Sequence, residues 1–317
     1  MKDERLVIGV DTSCYTTSVA AKCGGRMFHF KKMLDVEEGE CGLRQSDALF
    51  QHVKNLPLLF DELKNSVKIR DFDDVTVAVS SKPRNVEGSY MPVFLAGQSF
   101  AKTVAAVLGA KYIETSHQDG HIMAAIYSCK KYDILSEPFL VYHLSGGTTE
   151  LLLAQKTENG FACEIVGGTR DLPAGQFIDR IGVRLGFDFP CGRYLDYSAE
   201  NYSGKQTPVK TCVNDSYINF SGEETRYRRH LENGEDKEKI AYCVMKCIAE
   251  SVRKSVEFAK KKYGIKNVLM VGGVSSSKVL RCEFSDMPNV YFAEAEFSTD
   301  NAVGVCEIGA AASGTLR

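Results

Sequence analysis

Leu6-Val7-Ile8-Gly9-Val10-Asp11-Thr12-Ser13 is the stretch from which the fold is read. Five apolar or glycine positions lead into three polar ones, the pattern of a buried strand that surfaces at its C-terminal end. Residues 17–23 (TSVAAKC) and 26–34 (RMFHFKKML) read as two further strands, and Gly24-Gly25 between them is a two-residue hairpin signal. An antiparallel meander therefore opens the chain, whereas a Rossmann domain would carry its first strand straight into a helix. The same signals return at residues 139–144 (FLVYHL), which end in the polar turn Ser145-Gly146-Gly147-Thr148-Thr149. Strands over 150–156 and 161–166 follow, joined through Asn159-Gly160. Two meanders, each with a small polar first turn, predict a duplicated lobe rather than two unrelated domains.

Helices fill the space between these signals. Over residues 47–65, Leu49, Val53, Leu56, Leu59, Phe60 and Leu63 recur at helical spacing, and Pro57 is expected to bend or restart the helix. Residues 74–81 read as a buried strand, 82–92 as a loop, 93–108 as a helix stopping at Gly109, and 110–114 as a short strand. After the second meander come a helix over 174–185 with Asp179 in its middle and an irregular Pro-, Gly-, Cys- and Tyr-rich region over 186–213. A long amphipathic helix follows over 237–263, striped by Ile240, Val244, Ile248, Val252, Val256 and Ala259. Its Lys260-Lys261-Lys262 end suits a helix C-terminus, so the run is assigned to dipole compensation. A strand over 268–271 enters Gly272-Gly273-Val274-Ser275-Ser276-Ser277, and a strand over 290–293, a loop over 296–301 and a helix over 302–312 close the chain.

Composition narrows the function classes. At 317 residues the chain exceeds what one core usually serves. A net charge of −2, from 39 basic and 41 acidic side chains, argues against a surface devoted to nucleic acid. The 11 cysteines form no CxxC pair, and the expected setting is a reducing cytoplasm without a signal peptide or membrane span. Cys243 and Cys247, four apart on a helix, read as small core residues.

Three strand-terminal loops, residues 11–18, 145–149 and 272–277, are small and polar. Glycines let backbone approach phosphate, and hydroxyls and peptide N–H groups donate to its oxygens. Within Ser116–Ala125, His117 and His121 are four residues apart and share one face if helical, close enough to hold one metal ion. Such a pair taken alone is more often structural. Asp300 either caps the last helix or supplies a hard oxygen ligand. A zinc-peptidase reading fails at Gln118, where HExxH places its base, and Asp119 points to the far side of the helix.

In order along the chain stand Val10-Asp11-Thr12-Ser13-Cys14, His117-Gln118-Asp119-Gly120-His121, Ser145-Gly146-Gly147-Thr148-Thr149-Glu150, Ala174-Gly175-Gln176-Phe177-Ile178-Asp179, Phe220-Ser221-Gly222, Gly272-Gly273-Val274-Ser275 and Thr299-Asp300-Asn301. This ordered set resembles the tRNA threonylcarbamoyladenosine synthases (TsaD-like, formerly O-sialoglycoprotein endopeptidases, peptidase family M22). The resemblance implies an α/β actin-like ATPase (ASKHA) fold of two duplicated RNase H-like lobes with a cleft between them. The lobes would be residues 1–112, completed by the helix 302–317, and residues 113–301 carrying the metal site. It implies that His117, His121 and Asp300 hold one divalent metal, iron or zinc. Ser13, Leu144, Ser145, Gly146, Gly147, Asp179, Gly192, Gly272, Gly273 and Ser277 would bind ATP or an acyl-adenylate, and Asp11 and Asp179 are the catalytic candidates. The implied reaction moves threonylcarbamoyl from its adenylate to adenosine 37 of tRNA, with protein partners of the threonylcarbamoylation machinery.

The chain departs from the family pattern at several positions. Asp11 stands where the family has Glu, Tyr15-Thr16 where it has Asp-Glu, and Lys82-Pro83-Arg84 where it has Gly-Pro-Gly. Thr148 replaces a histidine, Gln176 a glutamate, Glu223-Glu224 a Leu-Lys pair, and Ser277 an asparagine. The expectation is a diverged paralogue. Its alternatives are a catalytically degenerate partner or regulator, or a small-molecule carbamoyltransferase or kinase on the same fold.

Overall fold

A computed structural model describes residues 5–36, 43–205, 208–298 and 300–314. Packing divides the chain into two compact units. The first holds residues 1–132, 156–162 and 296–317, and the second holds 133–155 and 163–295.

In the first unit, β1 (Arg5–Thr12), β2 (Thr16–Cys23) and β3 (Arg26–Met33) form the expected meander. Helix α1 (Gln45–Ser66), strand β4 (Asp74–Lys82), helix α2 (Phe94–Leu108), strand β5 (Lys111–Ser116) and helix α3 (His117–Cys129) follow. The sheet order is β3-β2-β1-β4-β5, with β1 antiparallel to β2 and parallel to β4. Strand β1 is buried from Leu6 onward because both of its faces are covered. Leu6, Ile8 and Val10 pack in the core cluster of Leu56, Leu59 and Leu63 from α1, while Val7 clusters with Val303, Cys306 and Ala310 of the C-terminal helix, Val303–Ala312. That helix lies flush on β1 at Gly9, where a Cβ would stand 2.6 Å from the Cys306 nitrogen.

Pro57 does not restart α1, which runs as one helix through it. The proline ring and Val53, whose carbonyl loses its helical donor, both face solvent, so water can take the donor's place. The buried stripe also differs from expectation. Val53 is exposed, while His52 and Asn55 are buried with Leu56, Leu59 and Leu63. The two polar residues are accommodated because His52 bonds Thr17 Oγ1 (2.8 Å) and the Ser13 carbonyl (2.7 Å), and Asn55 donates to Thr17 Oγ1 (3.3 Å).

The second unit repeats the plan. Strands β6 (Phe139–Leu144), β7 (Thr149–Thr157) and β8 (Gly160–Thr169) lead to helix α4 (Ala174–Leu185). Then come α5 (Gly192–Glu200), the short strands β9 (Val213–Asn214) and β10 (Tyr217–Ile218), α6 (Ser221–Glu232) and α7 (Lys237–Tyr263). Strand β11 (Val268–Val271), helix α8 (Lys278–Glu283) and strand β12 (Val290–Phe292) complete it. The order β12-β11-β6-β7-β8-β10-β9 contains β8-β7-β6-β11-β12, which matches β3-β2-β1-β4-β5 position for position. The pairings match too: β6 is antiparallel to β7 and parallel to β11. All six stripe residues of α7 are buried. The region expected to be irregular, 186–213, contains α5, whose only buried positions are Leu195 and Ala199.

Packing groups helix α3 and residues 296–298 with the first unit. Helix α3 approaches the C-terminal helix closely, and a Cβ on Gly304 would lie 1.8 Å from the Gly120 carbonyl oxygen. Among the described residues no helix is long and apolar enough to cross a membrane.

Candidate metal centre and nucleotide pocket

Helix α3 begins directly at the end of β5, and its start is fixed by a capping box. Ser116 Oγ accepts from the Asp119 N–H (3.1 Å), and Asp119 Oδ2 accepts from the Ser116 N–H (3.2 Å). Asp119 also accepts from Thr115 Oγ1 and from the Phe161 N–H, so this buried carboxylate is committed to structure.

The opposite face carries the imidazoles. His117 Nε2 and His121 Nε2 are 3.0 Å apart, and Asp300 Oδ1 lies 3.4 Å from the first and 3.2 Å from the second. One ligand-type atom from each of the three residues falls within 4.8 Å of the others. Asp300 is therefore not the cap of the last helix. That helix starts after Ala302, and Asn301 Oδ1 accepts from the Val303 N–H (3.1 Å). Thr299, which completes the Thr-Asp-Asn motif, lies outside the described residues.

Strand β1 and the residue that follows it reach this group with two side chains. Asp11 Oδ1 accepts from Ser80 Oγ and lies 2.9 Å from His117 Nδ1, while Ser13 Oγ donates to Asp300 Oδ2 (2.5 Å). Asp11 is fully buried, and its Oδ2 has no hydrogen-bond partner among the described residues. Burial alone would lower the His117 pKa, but the charges and hydrogen bonds of Asp11 and Asp300 outweigh it and hold it well above the usual imidazole range. Burial likewise pushes the Asp300 carboxyl up, and the two histidines overcome it, leaving the carboxyl well below its usual range. Two imidazole nitrogens and one carboxylate oxygen suit a divalent transition metal and leave coordination positions for water or substrate. A carboxylate on the far ring nitrogen is the usual companion of a metal-ligating histidine. The residues present fit the metal.

The second unit carries its own cavity of about 790 Å³. Of the residues expected to bind nucleotide, Gly146, Asp179, Gly192, Gly273 and Ser277 line it. Leu144 is buried at the end of β6, and Ser145 and Gly147 shape the following turn, where Ser145 Oγ accepts from the Thr148 N–H (3.1 Å). That turn sits tightly against α4, since a Cβ on Gly175 would stand 2.5 Å from Gly146 Cα. Gly272 adopts φ +91°, and a Cβ there would lie 2.3 Å from the Leu144 carbonyl oxygen. Asp179 Oδ1 accepts from the Cys191 N–H (2.8 Å). Ser13, in the first unit, bonds Asp300.

Sequence reasoning missed Asp196, Tyr194, Tyr197 and Lys278 in the cavity wall. Asp196 accepts from Ser277 Oγ (2.5 Å) and from the backbone N–H groups of Lys278 (2.8 Å) and Val279 (3.2 Å), holding the start of α8. The signal available was weak, a short polar helix with only two apolar anchors.

The family model for TsaD, tRNA N6-adenosine threonylcarbamoyltransferase, matches residues 37–305. A tRNA N6-adenosine threonylcarbamoyltransferase from Kosmotoga olearia is 28% identical over 95% of this chain and 92% of its own length. One from a Sulfurihydrogenibium species is 29% identical over 96% and 89%. Among solved structures, full-length HypF in a phosphate- and nucleotide-bound form aligns with a TM-score of 0.61 at 13% identity, covering 98% of this chain and 55% of HypF. Component A of (R)-2-hydroxyglutaryl-CoA dehydratase from Acidaminococcus fermentans aligns at 0.51 and 14% identity over 97% and 96%. These likenesses show the actin-like ATPase fold that the repeated sheet order also displays. By the match over residues 37–305, the chain belongs to the TsaD family of tRNA N6-adenosine threonylcarbamoyltransferases.

Proposed function

We propose that this protein is a threonylcarbamoyltransferase acting on adenosine of tRNA, with a divalent metal, iron or zinc, held by His117, His121 and Asp300. The observation that carries the reading is the convergence of those three side chains in a chain of this family. When bound, the metal supplies Lewis-acid polarisation of a carbonyl or phosphoryl oxygen. The cavity of the second unit is the seat of ATP or the acyl-adenylate. Gly146 and Gly273 let the backbone approach phosphates closely, while Asp179 and Ser277 line the same cavity as polar residues. In the transfer, the exocyclic nitrogen forms a bond to the carbamoyl carbon, the mixed-anhydride C–O bond breaks, and AMP leaves. Asp179, in the cavity wall, is the carboxylate this reading assigns to the amine proton. Asp11, buried and spent on His117 and Ser80, is not. Partner proteins of the threonylcarbamoylation machinery belong to the proposal.

A second reading is favoured by the departures from the family pattern. Tyr15, in place of an acidic residue, is exposed in the turn after β1, and Glu224 stands where the family has Lys. A binding partner or regulator without transferase activity would carry such changes. Incubating the metal-loaded protein with threonylcarbamoyl-adenylate and tRNA, and counting modified adenosine, separates the two. The transferase reading expects turnover that falls at least about 100-fold in His121→Ala. Absence of transfer by wild type, with and without its partners, selects the second reading.

A further inference from the structure

The end of β1 makes two contacts that a strand terminus does not need for folding. Asp11 meets the ring nitrogen of His117 that faces away from Asp300, and Ser13 meets the oxygen of Asp300 that faces away from the imidazoles. Each contact uses the atom not offered to the candidate centre, leaving His117 Nε2, His121 Nε2 and Asp300 Oδ1 as the convergent set. Ser13 is itself fixed through its backbone, since its carbonyl bonds His52 Nε2 (2.7 Å) from α1. Asp11 is fixed by Ser80 from β4. An orphaned carboxylate oxygen in a core costs stability, so the charge is better explained by what it does to His117 than by packing. Aspartate here is one methylene shorter than the family's glutamate, and at this length the carboxylate sits between the Ser80 hydroxyl and the His117 ring.

We infer that Asp11 and Ser13 are positioning residues of the metal centre, clasping His117 and Asp300 from the end of β1 so that both present their ligand atoms to the ion. The inference rests on the metal reading above. Asp11 keeps the proton of the bound-state imidazole on Nδ1, leaves Nε2 as the ligand, and makes the ring a stronger donor. Ser13 keeps Asp300 from rotating away. The role differs from that of Asp119, an equally buried carboxylate on α3 whose bonds all go to the helix start and to Phe161.

The test compares Asp11→Asn, nearly isosteric, with Asp119→Asn as a matched control. Zinc affinity is measured by chelator competition, the cobalt(II) absorption spectrum reports ligand geometry, and thermal midpoints are taken in the metal-free state. Asp11→Asn is expected to weaken zinc binding about 10–100-fold and to alter the cobalt spectrum, with Ser13→Ala giving a smaller loss in the same direction. Asp119→Asn is expected to lower the metal-free midpoint while leaving zinc affinity within about 3-fold. Zinc binding by Asp11→Asn within about 3-fold of wild type overturns the inference, as does an equal loss in Asp119→Asn. Failure of wild type to bind zinc or cobalt at all overturns the metal reading with it, so the two failures are told apart.

Discussion

The ends of β1 and β6 occupy the same place in two sheets of the same order, yet their chemistry is opposite. Asp11, Thr12 and Ser13 are buried, and their side chains reach inward to Ser80, Val93 and Asp300. Ser145, Gly146 and Gly147 close a turn on themselves, and Gly146 lines a cavity. One strand end presents side-chain oxygens to imidazoles and a carboxylate, which suits holding a cation. The other presents bare backbone, which suits an anion such as phosphate. On the proposed reading, the duplicated sheet places both sites at corresponding strand ends, and a few residues at each end set the sign of the ligand.

If the first unit is the rigid frame of the cation site, its buried ion pair should matter most. Lys22 Nζ lies 2.9 Å from Glu307 Oε1, and the Glu307 side chain is fully buried. Lys22→Ala leaves that charge, among the described residues, with the Tyr132 hydroxyl alone, and is expected to cost roughly 3–5 kcal/mol in urea denaturation. Gly304→Ala breaks the frame more locally. Its Cβ would displace the backbone of α3, which should cost about 1–3 kcal/mol and reduce zinc affinity in the same protein. Gly272→Ala is the counterpart in the second unit, expected to lose about 1–3 kcal/mol from a left-handed backbone and a clash with Leu144. It should weaken ATP binding in a calorimetric titration yet leave zinc affinity unchanged. Loss of both ligands from either glycine variant would erase the distinction between the two units.

The smallest effect sharpens the comparison by pH. The Asp300 pKa is depressed, so its contribution to metal-free stability is present above the unfolded value near 3.9 and fades as pH falls through the lower folded value. The His117 pKa is raised, so its contribution is complete below about 6.5 and is lost as pH climbs through the folded value. Chelated protein should therefore have its highest thermal midpoint, as far as this pair decides it, between about pH 4 and 6.5. Zinc affinity should run the other way and rise with pH, because His117 must shed a proton to bind. In His117→Ala the high-pH loss of stability should disappear, while the low-pH limb keeps the part that His121 gives Asp300.

Much of this was legible in the chain. Strands covered on both faces are contiguous apolar runs, so β1, β4, β6 and β11 announced themselves, and the second meander repeated the first. The imidazole pair was legible because helical spacing alone puts His117 and His121 on one face. The partners of β1 were not. Ser80 and His117 lie 69 and 106 positions from Asp11, and a polar strand end does not say which distant group it will meet. Asp11 and Ser13 accordingly read as catalytic and nucleotide-binding candidates, and their contacts to His117 and Asp300 had no signal in the sequence. His52 and Asn55 escaped notice because they break the apolar stripe of α1, and α5, α6 and α8 because few of their residues are buried.

The most direct measurement is an equilibrium titration of zinc into chelator-treated wild type and Asp300→Ala, with circular dichroism confirming that both are folded. One ion per wild-type chain, bound at least about 100-fold more tightly than by the variant, is the predicted result. Equal affinity in the two proteins, or no stoichiometric binding by wild type, would contradict the assignment of His117, His121 and Asp300 as a metal centre.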